Sequence, residues 1–292
     1  MDFLKLQAYA KINLSLDVLR QRQDGYHDVR MVMQTIRLHD NIDLRRTRQP
    51  GIRLRTNLSF LPVNENNLMY RAAQLLIEEF KLREGVEMTL RKVIPVAAGL
   101  AGGSADAAAV LYGVNRIFSL GLSAAELQKR AVRLGADVPF CLMHGTALSE
   151  GIGEVLTALP GMPECMLVLA KPGISVSTKY VYTNLRVDAQ PPEAHPDISR
   201  VVEALYAADL RAIAENAGNI LERVSCREYP EIDRIKERIL SYGALFSLMS
   251  GSGPTVFGVF DDPDRAEHCY QELRFGKDKN IAKQVYLTEP WK

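Results

Sequence analysis

The chain has 292 residues, 47% of them hydrophobic, which is enough for one large or two ordinary domains with a substantial core. Its 36 basic and 35 acidic side chains give a formal net charge of +1, so the overall charge does not favour binding to nucleic acid or to a membrane surface. The four cysteines are scattered along the chain, which favours reduced thiols over a disulfide framework or a zinc site.

The N-terminal segment predicts strands rather than a targeting peptide. It lacks the basic, apolar and small-residue order of a signal peptide, and no segment has the continuous apolar length of a membrane span. We therefore expect a cytoplasmic protein. Period-two alternation in "INLSLDV" and strand-like runs in "VRMVMQTI" and "NIDLRR" flank the turn "RQDGYH" and predict a β-rich beginning.

The next part of the chain alternates helix and strand signals. Polar capping residues precede apolar positions at helical spacing in "NENNLMYRAAQLLIEEF", and "GVEMTLRKVIP" returns to strand alternation. After the glycine-rich stretch that follows, we predict a helix from about Ser104 to about Phe118. The pattern "LSAAELQKRAVRLG" predicts a second helix that ends at Gly135.

Prolines and glycines around the apolar strand "LPGMPECMLVLAKPG" place a domain boundary near residue 160, which gives domains 1–160 and 161–292. Beyond the polar, proline-rich loop "NLRVDAQPPEAHPD", two long helical patterns follow, "ISRVVEALYAADLRAIAENAGN" and "EIDRIKERILSYG". The segment "ALFSLMSGSGPTVFGVF" predicts a strand, a tight glycine turn and a strand. A helix in "DPDRAEHCYQELR" and a strand in "AKQVYL" complete an α+β second half.

The stretch "PVAAGLAGGSADAAAVL", Pro95 to Leu111, places three glycines and a serine at the entrance of an alanine-rich helix. The first N–H groups of a helix lack backbone partners and carry the positive end of the helix dipole, so they stabilise a bound anion. We expect unusual backbone angles and a close approach at Gly99, Gly102 and Gly103. Ser104 can add a hydroxyl. A role of these small residues in close packing alone is the structural alternative.

The same stretch matches neither the G-K-[ST] of a P-loop nor the G-x-G-x-x-G of a dinucleotide-binding fold. It resembles the phosphate-binding motif of the GHMP kinases, the group that contains galactokinase, homoserine kinase and mevalonate kinase. The segments "AYAKINLSLDVLRQRQDGYHDVRMVMQTIRLHD" and "LMSGSGPTVFGVF" resemble the first and third motifs of that family. Ala101 and Ala105 occupy positions where the family often has glycine and serine. We therefore expect Ser104, rather than position 105, to provide the hydroxyl that contacts the phosphates.

The resemblance implies an α+β two-domain GHMP kinase fold, with an N-terminal ribosomal-protein-S5-domain-2-like domain and a C-terminal α/β sandwich domain. It also implies transfer of the γ-phosphate of ATP to an alcohol, with Mg²⁺ expected beside the nucleotide. The ATP-binding residues that the central motif implies are Pro95, Val96, Ala97, Ala98, Gly99, Leu100, Ala101, Gly102, Gly103, Ser104 and Ala105.

The resemblance further implies a lysine and an aspartate at the acceptor hydroxyl, Lys11 and Asp137, the latter within the matching segment "LGADVPF". A carboxylate can accept the hydroxyl proton, while an ammonium stabilises the developing alkoxide and favours the ionised carboxylate. Taken singly, Lys11 could be an ordinary solvated charge and Asp137 could cap a turn or helix. Three motifs in the same order over nearly the whole chain favour catalysis. Asn13, on the same strand face as Lys11, is a substrate-orienting candidate.

The first motif narrows the resemblance to members that act on a cytidine diphosphate-linked alcohol, because "AKINLSL" is followed by "DGYH". The resemblance then implies that Tyr26 and Tyr182 cover the two faces of the cytosine ring, with Tyr180 as the fallback for Tyr182. His27 would hydrogen-bond the edge of the base. Half-buried tyrosines and an exposed or structurally paired histidine are the ordinary alternatives.

The metal ligands and two competing functions stay open at this point. Ser104, Glu150 and Glu154 are candidates for Mg²⁺, but no spacing fixes an octahedral shell. Another kinase of the same family, acting on homoserine, mevalonate or a different alcohol, is the nearest rival, and its site would not need a base-stacking pair. A catalytically silent nucleic-acid-binding protein is the other alternative, which the balanced charge and the lack of a basic run disfavour. No pattern indicates the oligomeric state.

Overall fold

The structure is a computed structural model that describes residues 2–291. Contacts divide the chain into two compact units, each assembled from separate stretches. Unit 1 comprises Met1–Ala10, Leu38–Val96 and Ala101–His144. Unit 2 comprises Lys11–Arg37, Ala97–Leu100 and Gly145–Lys292. The two units interleave along the chain, and the single boundary near residue 160 stays a prediction.

Within the described residues, unit 1 combines strands with four α-helices. Strands β1 (Phe3–Gln21) and β2 (His27–Thr47) pair with each other, and each has residues in both units. In unit 1, residues 41–47 of β2 pair antiparallel with β4 (Gly85–Arg91), which pairs parallel with β3 (Ile52–Thr56). The helices of this unit are α1 (Leu68–Glu79), α2 (Gly102–Ile117), α3 (Ala124–Ala131) and α4 (Val138–Met143).

Small residues allow α2 to lie against the strands of unit 1. A Cβ on Gly113 would lie 2.5 Å from Cδ2 of Leu44, so a side chain at position 113 would force the buried packing between α2 and β2 to shift. Ala105, Ala107 and Ala108 are buried in the same core. Close packing therefore explains the small residues in the body of the helix.

The predicted elements of unit 1 are found with shifted ends. Helix α1 begins where expected, because the Asn67 side chain accepts a hydrogen bond from the N–H of Met69 at 2.9 Å. Helix α2 begins at Gly102 rather than at Ser104, because Ala101 adopts a left-handed conformation (φ 54°) and turns the chain into the helix.

Two further differences follow after α2. Helix α3 ends at Ala131, not at the predicted Gly135, and the chain continues through turns into α4. Neither α4 nor β3 was predicted, because six- and five-residue elements are too short to show a clear hydrophobic period.

Unit 2 contains a β-hairpin, a second sheet and six α-helices within the described residues. Strands β5 (Thr146–Glu150) and β6 (Val155–Leu159) form the hairpin, and β5 also pairs with residues 31–34 of β2. The strands of the second sheet are β7 (Met166–Lys171), β8 (Phe246–Met249), β9 (Val256–Phe260) and β10 (Gln284–Thr288). They lie in the antiparallel order β10, β7, β9, β8. The helices are α5 (Thr178–Asn184), α6 (Ile198–Tyr206), α7 (Leu210–Asn216), α8 (Glu222–Glu228), α9 (Glu231–Ser241) and α10 (Pro263–Arg274).

The stretch 198–219 forms two helices, where the sequence predicted one long helix. Ala208 adopts a left-handed conformation (φ 51°), and Asp209 then caps α7. Its carboxylate accepts hydrogen bonds from the N–H groups of Arg211 and Ala212, both at 3.0 Å. A capping aspartate inside a continuous helical period restarts the helix, and the period alone does not show that break.

No helix within residues 2–291 is both long and apolar enough to span a membrane. Cys141, Cys165 and Cys269 are buried, and Cys226 is partly buried. Burial raises the pKa of Cys269 to about 12, so this thiol stays protonated and unreactive near neutral pH.

Candidate active site

The glycine-rich loop before α2 turns through three left-handed residues. Ala97, Gly99 and Ala101 have φ values of 50°, 76° and 54°. A Cβ on Gly99 would lie 2.1 Å from the carbonyl oxygen of Ser250, so position 99 requires glycine for space as well as for its backbone angle. Ala97 and Ala101 hold the same conformation with a side chain, at a cost of roughly 1–2 kcal/mol each. Such strain is concentrated at functional sites.

Gly102 and Gly103 contradict the prediction of unusual backbone angles, because both are helical residues in the first turn of α2. Gly102 is required for space instead, since a Cβ there would lie 2.8 Å from Nζ of Lys92. Gly103 is exposed, and the nearest atom to a Cβ there would be Cδ1 of Leu68 at 3.7 Å. The exposed side of the helix entrance is therefore at Gly103.

The predicted ATP-binding residues form one continuous stretch through the loop and the first turn of α2. Pro95 and Val96 lead into the loop, residues 97–101 form it, and residues 102–105 begin the helix. The first hydrogen bond of the helix runs from the N–H of Ala105 to the carbonyl of Ala101, at 2.9 Å. The N–H groups of residues 102–104 come before that bond, and such groups are the ones that bind phosphate at helix N-termini.

Lys11 and Asn13 lie on the same face of β1, as predicted, and both are buried. The Lys11 ammonium donates to Oδ1 of Asn13 at 2.5 Å, and Asn13 Nδ2 contacts the sulfur of Met31 at 3.0 Å. The N–H of Lys11 donates to the carbonyl of Leu100 at 3.2 Å, so the strand and the glycine-rich loop are in direct backbone contact. The buried lysine is thus fixed in orientation and is not a solvated surface charge.

The third motif, Ser250 to Thr255, is the predicted glycine turn between β8 and β9. Gly251 and Gly253 have φ values of 57° and 88°, which supports the choice of glycine at both positions. The turn is closed by a hydrogen bond from the N–H of Ser250 to the carbonyl of Thr255, at 2.9 Å. Asn219, which no sequence motif indicated, donates from Nδ2 to the carbonyls of Met249 and Gly251 at 2.7 and 2.8 Å.

The segment "DGYH" forms the turn between β1 and β2. Tyr26 is 61% exposed, and His27 begins β2. The ring centroids of His27 and Tyr182 are 5.2 Å apart with an interplanar angle of 49°, so these two predicted residues are brought together. Tyr180 instead donates its hydroxyl to Glu228 at 3.2 Å, which favours Tyr182 over Tyr180. Partial burial lowers the pKa of His27, so its ring is predominantly neutral at pH 7.

Asp137 occupies the N-terminal cap position of α4 in unit 1 and is partly buried. Among the described residues, its carboxylate forms no capping hydrogen bond to α4, so capping does not account for an aspartate here. The helix start is set by Pro139 in its first turn. Lys11, its predicted partner, belongs to unit 2.

The metal-ligand candidates have different surroundings. Ser104 is half-buried in the first turn of α2. Glu150 is paired with Arg30 at 3.5 Å, and Glu154 accepts a hydrogen bond from the N–H of Ile152 at 2.7 Å within the turn of the β5–β6 hairpin. Across residues 2–291, no group of three or more His, Cys, Asp and Glu side chains could hold a metal ion. The hydrogen bond within the hairpin turn is sufficient to explain a glutamate at position 154.

A buried charged cluster lies beneath the helix entrance in unit 1, and no sequence pattern predicted it. Lys92 donates to Asp106 at 2.7 Å and also to Asp40, and all three side chains are at most 4% exposed. Burial raises the pKa of Asp106 to about 7. A lysine just before the loop and an aspartate inside an alanine-rich helix were the only signals in the sequence.

The sequence matches two family descriptions, "GHMP kinases N terminal domain" over residues 67–145 and "GHMP kinases C terminal" over residues 201–278. A homoserine kinase structure from Cytophaga hutchinsonii shares the fold, with a TM-score of 0.80 at 22% identity over 99% of this chain and 95% of that chain. The glycine-rich loop and the third motif fit this class. The chain is a GHMP kinase, which confirms the predicted fold class.

Near-full-length relatives define the family more narrowly. The "4-diphosphocytidyl-2-C-methyl-D-erythritol kinase" of Lachnoclostridium phytofermentans is 52% identical over 99% of this chain and 97% of that protein, and that of Geobacillus sp. is 47% identical over 97% and 96%. A crystal structure of 4-(cytidine 5'-diphospho)-2C-methyl-D-erythritol kinase superposes with a TM-score of 0.82 at 31% identity, over 99% of this chain and 100% of that chain.

The chain therefore belongs to the 4-diphosphocytidyl-2-C-methyl-D-erythritol kinase family. It is an ATP-dependent kinase of a small-molecule substrate, which confirms the predicted enzyme class.

Proposed function

We propose that this kinase transfers the γ-phosphate of ATP to the 2-hydroxyl of 4-diphosphocytidyl-2-C-methyl-D-erythritol, a step of the non-mevalonate route to isoprenoid precursors. The observation that carries the proposal is the near-full-length identity to kinases named for this substrate. The contact between the rings of His27 and Tyr182 supports it, because a kinase of a plain alcohol has no need for an aromatic pair.

In the proposed reaction, the acceptor oxygen forms a bond to the γ-phosphorus while the bond from that phosphorus to the departing ADP oxygen breaks. Asp137 accepts the proton of the acceptor hydroxyl. Lys11 stabilises the negative charge that develops on the oxygen. The hydrogen bond from Lys11 to Asn13 orients the ammonium and supports a role for Asn13 in orienting the substrate.

The phosphates of ATP lie, in this proposal, at the residues of the glycine-rich loop. The N–H groups of residues 102–104 and the exposed side of Gly103 support this placement. Mg²⁺ fits such a site, because it keeps several waters and binds largely through substrate phosphates, so few protein ligands are needed. When bound, it neutralises phosphate charge. Ser104, half-buried in the first turn of α2, is the residue that would hold it.

The cytosine ring lies, in this proposal, between Tyr26 and Tyr182, with His27 at its edge. The exposure of Tyr26 supports a ligand-facing role, and the neutral His27 ring can donate from one nitrogen and accept at the other. We further propose that the protein works in the cytoplasm without nucleic-acid or membrane partners. The scattered positions of the four cysteines and the balanced charge support this.

A substrate panel tests the proposal. The pure protein is incubated with ATP, Mg²⁺ and either the cytidine-linked alcohol, homoserine or mevalonate, and both ADP and the phosphorylated product are quantified. We expect product with the cytidine-linked alcohol and at most trace turnover of the other two. Preferential phosphorylation of homoserine or mevalonate would assign the protein to another activity of the same family.

A further inference from the structure

We propose that Ser250 is a positioning residue whose hydroxyl holds the strand of Lys11 and Asn13 at a fixed distance from the glycine-rich loop. The inference rests on the proposed function only in assigning phosphate transfer to these two segments. Ser250 itself is fully buried at the start of the third motif.

The Ser250 hydroxyl contacts the backbone of both segments. It accepts a hydrogen bond from the N–H of Asn13 at 3.2 Å and donates to the carbonyl of Gly99 at 2.9 Å. A hydroxyl has one donor and two acceptor sites, so it can hold both partners at once. An alanine at this position could hold neither. Because both partners are backbone groups, the contact fixes the course of the chain rather than one side chain.

Further backbone contacts join the same three segments. They show that Ser250 lies where β1, the glycine-rich loop and the third motif approach one another closely. The Lys11 N–H donates to the carbonyl of Leu100 at 3.2 Å, and the Thr255 N–H donates to that of Ala98 at 3.4 Å. Gly99 approaches the Ser250 carbonyl so closely that a Cβ would lie 2.1 Å from it. The loop is therefore in direct contact with both β1 and the third motif.

The turn that carries Ser250 is itself held in place from α8 and the residues before it. Asn219 donates to the carbonyls of Met249 and Gly251, and Glu222 accepts a hydrogen bond from the N–H of Met249 at 2.6 Å. Because both neighbours of Ser250 are held, its hydroxyl is a fixed point from which the loop and β1 are positioned.

Removal of the hydroxyl leaves the N–H of Asn13 and the carbonyl of Gly99 buried without this partner. The loop and β1 can then shift relative to each other, and a displacement of about 1 Å can cost about 100-fold in rate. The loss of activity should fall mainly on kcat, because the residues proposed to bind the cytosine ring lie elsewhere. The KM values for ATP and for the alcohol should change less.

The test compares Ser250→Ala with Ser247→Ala, a matched control. Ser247 is also buried, lies three residues earlier in β8, and donates to a backbone carbonyl, that of Phe257, at 3.2 Å. We measure kcat, both KM values and the Tm of wild type and variants. We expect kcat to fall about 10- to 100-fold in Ser250→Ala and to stay within about twofold in Ser247→Ala at a similar loss of Tm.

Two outcomes would overturn the proposal: a kcat for Ser250→Ala within twofold of wild type, or equal losses of kcat in the two variants. If Ser250→Ala does not fold, Ser250→Cys replaces it, since a thiol keeps the shape but forms only weak hydrogen bonds. The same thresholds apply. The substrate panel run with wild type separates the two hypotheses: if another alcohol is preferred, the proposed substrate fails, and the Ser250 comparison is made with that alcohol.

Discussion

At the scale of residues, the site depends on polar side chains that the fold buries. Lys11 and Asn13 are 4% and 1% exposed, and burying such groups is costly unless they find partners. Their mutual hydrogen bond meets part of that cost and restricts both rotamers. A restricted ammonium is prepared for the transition state without further ordering, which is the condition for efficient electrostatic stabilisation.

Asp137→Asn should lower kcat about 100- to 10,000-fold, the usual contribution of general-base assistance, because an amide cannot accept the hydroxyl proton. Lys11→Ala should also lower kcat strongly, whereas Lys5→Ala, at an exposed position nearer the start of the same strand, should not. The KM for ATP should change little in all three. Steady-state kinetics checks this, and near-normal turnover in Asp137→Asn would refute its assignment as the base.

Tyr182→Ala should raise the KM for the cytidine-linked alcohol, since stacking of a base on an aromatic ring contributes about 1–3 kcal/mol, or roughly 5- to 150-fold. Tyr180→Ala is the control, because the Tyr180 hydroxyl is directed to Glu228. His27→Ala should erode the preference for cytidine over uridine, which differ in their edge donors and acceptors. Comparing kcat/KM for both substrates tests this, and equal effects at Tyr180 and Tyr182 would contradict it.

At the scale of elements, the backbone conformation of the glycine-rich loop, more than the number of its glycines, determines how the chain enters helix α2. The left-handed residues at 97, 99 and 101 alternate with residues of ordinary backbone angle, and two of the three are alanine. The loop therefore accepts local strain to bring its backbone against β1 and the third motif. Gly99 is where space, and not only conformation, is limiting.

Gly99→Ala should abolish most activity and lower the Tm, whereas Gly121→Ala should lower the Tm only modestly. The two glycines have φ values of 76° and 72°, but a Cβ on Gly121 would meet no atom within 4 Å. The shared cost of a left-handed alanine, roughly 1–2 kcal/mol, is thereby separated from the clash with Ser250. Thermal unfolding and turnover assays measure both effects, and equal losses in the two variants would contradict the steric argument.

At the scale of the whole molecule, a buried charged cluster links residues far apart in the chain. Lys92 bridges Asp40 and Asp106, and Oδ1 of Asp40 also accepts hydrogen bonds from the N–H groups of Val93 and Ile94. One ammonium serves two carboxylates, and Oδ1 of Asp106 is buried without a hydrogen-bond partner among the described residues. Burial therefore keeps a proton on Asp106 at a pH where it would ionise in water.

Asp106→Asn should remove a pH dependence of folding. The pKa of Asp106 is raised from 3.8 to about 7, so between those values the folded state binds the proton that the unfolded state releases. The stability of wild type relative to Asp106→Asn should therefore fall as pH rises from about 4 to about 7. Urea unfolding of both proteins across that range measures the difference, and a difference that is constant or that rises with pH would contradict the assignment.

The sequence by itself determined the features that depend on neighbours along the chain. Strand alternation places Lys11 and Asn13 on one face, and "DGYH" forms a turn, because these follow from the period of a strand and from turn chemistry. The glycine-rich stretch before a small-residue helix, together with two further motifs, was sufficient to predict the kinase family.

Only the tertiary structure decided the features that depend on contacts between distant segments. The sequence does not distinguish Tyr182 from Tyr180. Residues two positions apart in a helix point in different directions and meet different partners, and here Tyr182 contacts His27 whereas Tyr180 contacts Glu228. Nor does it show that Gly99 and Gly102 are needed for space, or that Ser250 joins two motifs. In each case the deciding partner is far away in sequence, and a local pattern carries no information about its distance.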